Sequence, residues 1–378
     1  MSVSPPSTDP ADATAPGEPP RWRGLTRAQR LGLVATFVAA GAAGALHYGG
    51  AAGIAAFTAA TLALGGLAWL VSFATEALGE RTGPAVTGVL QSTLGNLPEL
   101  FVVIFALRAG EVVVAQASIV GSLLANALLV LGFTLIAGAR AAPDGVMRFH
   151  RRLPNDTATL LMLAVFIIVL LGISGAANDR ASRHQTEISA IGAVALLSVY
   201  VFWLLGYLRP RTGGVEPALA THRQAPHLSL AVTIALLAAG GAGAALVSEW
   251  FIAELEPAIE TLGVSRAFAG LVIVAIAGNA AEHVAGIFLA AKGKSDLAVS
   301  VVKNSVSQIA VFLFPVLILI SLAFESRLTF VIPPVQIGAL FLMAIAVWQV
   351  TGDGEAEAFE GWALVALYVL TAVVTFYE

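Results

Sequence analysis

The sequence predicts an all-α polytopic membrane protein of about 11 transmembrane helices, arranged as one extra N-terminal helix plus two inverted five-helix repeats. Three observations carry this. The 378 residues are 58% hydrophobic and only 12% charged, with a mean hydropathy of +0.85. A soluble domain of this length cannot hide so much apolar surface. The apolar residues fall into long runs, most of them able to cross about 30 Å of hydrocarbon at 1.5 Å per residue. One polar motif also occurs twice inside such runs, as Gly95-Asn96-Leu97-Pro98-Glu99 and Gly278-Asn279-Ala280-Ala281-Glu282. At this composition a chance G-N-x-x-E is expected about 0.03 times, so two copies mark a duplicated element.

Taken in order, residues 1–27 are rich in Pro, Ala, Ser and acid, and are expected to form a disordered cytoplasmic tail. They lack the basic-then-apolar pattern of a cleaved signal peptide. The extra helix falls within 28–50, with its apolar run at 31–48. The first repeat, 51–208, holds runs at 52–78, 84–108, 112–138, 157–175 and 187–208. The polar stretch 209–227 is a cytoplasmic linker. The second repeat, 228–378, holds runs at 228–250, 267–291, 296–324, 329–350 and 361–377. Helices are favoured because open strands leave backbone groups unsatisfied in lipid, and the strict alternation of a barrel is absent. With no cysteine, disulfides and thiolate metal sites are excluded.

Arginine and lysine set the orientation. With the N-terminus inside, the inner segments carry 14 of these residues and the outer loops 5, which supports N-in and C-out. Seventeen arginines against three lysines, in an Ala- and Gly-rich chain, suggest a GC-rich bacterial genome and thus a bacterial inner membrane. The two motifs lie on spans three and eight, five crossings apart, so their helices run in opposite directions. That is the inverted-repeat plan of secondary transporters, with the site at the midplane.

The chemistry follows from the motif. A carboxylate at membrane depth is costly and usually marks an ion or proton pathway. Glycine before asparagine loosens the helix, and Pro98 removes a backbone donor. Asn96 and Glu99 share a helix face, as do Asn279 and Glu282. Brought together, these give an all-oxygen cage suited to a hard cation such as Ca²⁺. No nitrogen or sulfur cluster selects zinc or copper. Burial and mutual repulsion raise carboxylate pKa values, so the same pair can hold protons until a cation displaces them. Ser122 and Ser305 each follow their glutamate by 23 residues, on the next helix. Gln116, Ser118 and Asn126 cluster on span four, and Asn304, Ser307 and Gln308 on span nine. Ser122, Asn126 and Ser305 also suit plain interhelical hydrogen bonding. Glu76 and Glu249 occupy equivalent places near span ends. His283, beside Glu282, suits an orienting partner. Glu254, Glu256 and Glu260 read as a solvated outer loop, and the remaining histidines, His47 and His150 among them, as inert.

The segment TGVLQSTLGNLPELFVVIFALRAGEVVVAQASIVGSLLANALLVLG (87–132) strongly resembles the first signature repeat of the calcium/proton exchanger (CAX) family, within the calcium/cation antiporter superfamily. The segment GLVIVAIAGNAAEHVAGIFLAAKGKSDLAVSVVKNSVSQIAVFLFP (270–315) resembles the second. The resemblance implies Ca²⁺/H⁺ antiport by alternating access. Glu99 and Glu282 would be the central cation and proton carriers, with Asn96 and Asn279 beside them. It also implies supporting polar roles for Ser122 and Gln308, and access-route roles for Glu76 and Glu249. One departure stands out: Lys303 precedes Asn304 where the family carries an apolar residue before glycine. A lysine near the cage would disfavour divalent ions, so Lys303 is a selectivity candidate. Na⁺/H⁺ or Na⁺/Ca²⁺ exchange is the alternative within carriers, and a cation channel lies further off. A metalloprotease would need histidine where Asn279 stands. The expected partners are the lipid bilayer, inorganic cations and protons, with no nucleic acid. No resident cofactor is expected, the cation being substrate.

Overall fold

Apolar runs without internal breakers fold as helices because lipid offers their backbone groups no other partner. The computed structural model describes every residue except 1–23, 51–52, 82–89, 91–92, 151 and 209–227, and gives 152–155, 207–208 and 280–283 as backbone only. The helices are α1 (Arg27–Tyr48), α2 (Ile54–Gly79), α3 (Leu97–Arg108), α4 (Val112–Ala141), α5 (Arg152–Ala177), α6 (Gln185–Leu208) and α7 (Leu230–Leu262). They continue as α8 (Arg266–Phe268, a π turn Ala269–Val274, then Ala275–Ala291), α9 (Ser295–Ser321), α10 (Pro334–Thr351) and α11 (Ala358–Phe376). Among the described residues nine are long and apolar enough to cross a membrane, or ten when α8 is counted across its bend. The eleventh expected span, 84–108, lies partly outside the described residues. Its described part, α3, has 12 residues, about 18 Å of helix.

Two helices form the centre. The most apolar stretch of α4 is 89% buried within the protein and that of α9 is 72% buried, against 11% for α1 and 22% for α6. Ile119, Leu123, Leu124, Leu128 and Leu131 of α4 are fully enclosed. Both central helices widen into a π turn, Ala125–Val130 in α4 and Ile309–Leu313 in α9. Around them, α2 packs on α7 and α8, α3 on α7 and α9, α5 on α9 and α10, and α11 on the C-terminal half of α4. Helix α1 lies outside, against α2 and α7.

Glycine sets the tightest crossing. A Cβ added to Gly121 of α4 would overlap the backbone of Leu271 in α8. One added to Gly270 would come within 2.8 Å of both the Ala117 Cβ and the Val114 carbonyl oxygen. Membrane helices have little hydrophobic drive to associate, so such backbone contact is what joins them.

Several helix limits differ from the sequence pattern. Helix α1 begins at Arg27, inside the expected tail, because Thr26 and Gln29 form a capping box. Helix α7 runs past 250 to Leu262, so Glu254, Glu256 and Glu260 stand on a helix and not in a loop. Partners explain this: Glu254 is buried against the His47 Nδ1 at 3.1 Å, and Glu256 accepts from Arg266. His47 also stacks on Trp250, so it fastens α1 to α7. Helix α10 starts at Pro334, where paired prolines keep 333 extended and supply an N-terminal residue needing no donor.

The loops on one face are stitched together. Strand β1 (Val146–Arg148), between α4 and α5, pairs antiparallel with β2 (Glu355–Glu357), between α10 and α11. Arg148 donates to Asp144 at 2.6 Å and lies 3.5 Å from Glu355. The guanidinium holds the Asp144 carboxyl below the usual carboxylate range. His150 is not inert: its backbone N–H donates to Asp296 in the first turn of α9 at 2.6 Å, and its ring lies 3.1 Å from the same carboxylate.

Gly121→Ala pushes α4 off α8. Overpacking of this kind costs about 1–3 kcal/mol, so its melting temperature in detergent falls by several degrees. Gly41→Ala, at a position with nothing within 4 Å, leaves it unchanged.

Candidate cation-binding site

The two copies of the motif meet at helix breaks. Gly95 and Asn96 form a turn, with Asn96 at φ −89°, ψ 10°, and α3 begins at Leu97. Pro98 fits the first turn because it needs no donor there. Glu99 therefore sits in the first turn of a half-helix, where unpaired N–H groups favour negative charge. It is buried, with 4% exposed. In α8 the stretches Arg266–Asn279 and Val284–Ala291 lie at 59° to one another. A Cβ built on Gly278 would lie 3.9 Å from the Glu99 Cβ. The first glutamate thus faces the second motif directly.

Asn279 is buried, and its amide donates to the Ser122 hydroxyl at 2.8 Å and to the Ala275 carbonyl at 3.0 Å. This bond joins the second motif to the serine of the first repeat. Asn126 donates to the Ser122 carbonyl at 3.1 Å, within the π turn of α4. Asn96, Ser305 and Gln308 are all buried as well. The side chains of Glu282 and His283 lie outside the described residues. Glu76 and Glu249 are both exposed, on α2 and α7. Among the described residues, no group of three or more His, Cys, Asp or Glu converges as a metal site. The described donors are amide, hydroxyl and carboxylate oxygens, the set a hard cation takes.

Some polar residues grouped by the sequence pattern turn elsewhere. Gln116 donates to the carbonyls of Thr329 and Val331, ahead of α10. Ser118 donates to Ala115, and Ser307 to Thr157 and Lys303. Ser118 takes a local carbonyl, as short hydroxyls on helices do, whereas Gln116 and one bond of Ser307 tie their helices to distant segments. Lys303 is buried, and its Nζ donates to the Thr351 hydroxyl of α10 at 2.6 Å. No local pattern signals that contact, or the close packing of Val302 and Thr134 against Gly286 of α8.

A helical membrane bundle in which two broken spans bring duplicated polar motifs face to face is built as a secondary transporter. The chain belongs to the family described as sodium/calcium exchanger protein, whose profile matches residues 52–208 and 232–377. It is 30% identical over 353 residues to a Ca²⁺/H⁺ antiporter of Synechocystis sp., covering 88% of this chain and 94% of that one. It is 32% identical over 311 residues to the Ca²⁺/H⁺ antiporter ChaA of Bacillus subtilis, covering 81% and 88%. The solved structure of native YfkE superposes with a TM-score of 0.74 at 27% identity, covering 91% of this chain and all of that one.

Ser122→Ala removes the acceptor that Asn279 uses across the repeats. One such hydrogen bond is worth about 1 kcal/mol. Equilibrium Ca²⁺ binding in detergent weakens about fivefold, while melting temperature barely moves, since Asn279 keeps Ala275.

Proposed function

We propose that this protein is a Ca²⁺/H⁺ antiporter that works by alternating access, with Glu99 and Glu282 sharing one site between cation and protons. The single observation that carries this is the approach of Glu99 to the second motif, 3.9 Å between the Cβ positions of Glu99 and Gly278. Asn96 and Asn279 supply amide oxygens, and Ser122, Asn126, Ser305, Gln308 and His283 support them. Two carboxylates at one buried site repel each other, so with no cation they hold protons. Metal binding requires them ionised, so Ca²⁺ entry releases protons and falling pH favours Ca²⁺ release. A site neutralised by either ligand can cross between faces, and an empty charged one cannot; that makes the two fluxes opposed and coupled. Glu76 and Glu249 serve as access-route carboxylates.

The relatives named Ca²⁺/H⁺ antiporters support calcium over sodium. The two matched stretches support the parse into an extra helix and two five-helix repeats joined by 209–227. The arginine distribution supports a bacterial inner membrane with the N-terminus cytoplasmic and the C-terminus outside. The protein acts as a carrier with no chemical step and no resident cofactor.

Flux in proteoliposomes with a lumenal pH dye tests the site. Glu99→Gln and Glu282→Gln each abolish Ca²⁺-driven proton movement while the protein stays folded. Wild-type exchange in either variant, at matched protein level, sinks the shared-carboxylate reading.

Lys303 tunes selectivity as a tethered positive charge. Lys303→Met raises Ca²⁺ affinity about tenfold relative to Na⁺, a change of about 1.4 kcal/mol. An unchanged ratio with a lower melting temperature instead reduces Lys303 to a tie between α9 and α10.

A further inference from the structure

The two repeats differ in length between their carboxylates. Glu76 precedes Glu99 by 23 residues, whereas Glu249 precedes Glu282 by 33. The difference is extra helix: α2 ends at Gly79, just past Glu76, but α7 runs on from Glu249 to Leu262. At 1.5 Å per residue the extension is about 15 Å long. It carries Glu254, which pairs with His47 of α1, and Glu256. Arg266, the first residue of α8, donates to both carboxylate oxygens of Glu256, its Nε at 3.2 Å. The same Nε lies 3.5 Å from the carboxylate of Glu111, which caps the N-terminus of α4. The start of α8 is itself anchored, because the Ser265 hydroxyl donates to the Thr375 carbonyl of α11. Arg266 therefore joins α7 to α8 and α4, at the end of α4 opposite to β1.

The ends of the two repeats are also packed unequally. The shift of 183 residues that carries Glu99 onto Glu282 pairs α3 with the inner part of α8, and Glu111 with Lys294. On α3, Val102, Val103, Ala106 and Leu107 are all buried, in a helix that packs on α7. On α8, Val284 is 67% and Phe288 55% exposed, and Ala285, the equivalent of Val102, is exposed as well. Yet α8 packs on α2 as α3 packs on α7. Inverted repeats that alternate between two packings look like this when one end is closed and the other is not. The closed end is the one that bears Arg266.

We propose that Arg266 is a bolt on the transport cycle: bound to Glu256 and Glu111, it holds the extension of α7 against α4 and α8 and keeps the route closed at this end. Opening there requires the guanidinium to give up a carboxylate to water. The pairs are half exposed, so each is weak enough to break on every cycle. The first repeat cannot build the same pairs, because Gly83 and Lys294 stand where Arg266 and Glu111 would be. The bolt is one-sided and biases the resting carrier toward the state closed at this end. The assignment rests on the alternating-access reading and adds an asymmetry that the duplicated motifs lack.

The chain has no cysteine, so an introduced one reports access to water. Val102→Cys lies in the closed contact, and Ala285→Cys at the equivalent open place. Each full-length variant is labelled in detergent, where both faces meet a charged thiol reagent, and the rate is read by mass. Arg266→Gln and Glu256→Gln each raise the rate at position 102 about fivefold, the scale that two exposed ion pairs reach together, and do not raise it at 285. The two substitutions change the local charge in opposite directions. A field acting on the reagent alone would therefore raise one rate and lower the other. If Val102→Cys lowers the melting temperature, Ala106→Cys reports on the same contact. An unchanged rate at 102, an equal rise at both positions, or opposite shifts in the two variants overturns the bolt. Saturating Ca²⁺ separates the two readings. Rates that Ca²⁺ moves but Arg266→Gln does not remove the bolt alone, and rates at 102 and 285 that Ca²⁺ never moves remove alternating access itself.

Discussion

The crossing of α4 and α8 governs the rest of the structure. Gly121 meets the backbone of Leu271, and Gly270 meets Ala117 and Val114, so the two helices touch main chain to main chain. Side chains at these points would hold the helices apart. Ser122 follows Gly121 at once, and its bond to Asn279 exists because the crossing is this close. The second motif is thereby held against the first repeat, and Gly278 comes to face Glu99.

The same enclosure lets the backbone depart from regular helix. The turn before α3, the bend of α8 and the π turns of α4, α8 and α9 all free main-chain groups from their usual partners. Facing lipid, each would be prohibitive; irregular backbone survives at membrane depth only inside protein or along a water-filled path. Helices α4 and α9 are the most buried of the bundle, and they flank these breaks. The cost of breaking a helix is thus confined to the place where freed carbonyls and half-helix ends can act on an ion.

Much of this could be read from the chain. Composition and run length gave the membrane class, and the repeated G-N-x-x-E picked out Asn96, Glu99 and Asn279, which the fold buries near its centre. The break at Asn96 was also legible, since glycine and proline flank it. Other features carried no local signal. Val146–Arg148 and Glu355–Glu357 are too short and too ordinary to announce a strand pair. Glu254 looked solvated because its partner, His47, lies 207 residues away in sequence. The contact of Lys303 with Thr351 was equally illegible, because that hydroxyl lies 48 residues on, in α10. In each case a contact between distant segments overrode what the neighbouring residues suggested.

The strand pair β1–β2 has a consequence for how the molecule could be divided. Its two strands come from opposite sides of residues 209–227, one before and one after, and they pair in a single register, Val146 with Glu357 and Arg148 with Glu355. The His150–Asp296 contact spans the same division. Alignment of the halves is therefore written into their surfaces and does not depend on peptide continuity. Two polypeptides cut within 209–227 and made together in one cell would carry the information to find each other, and a gene split at that point would still encode one machine.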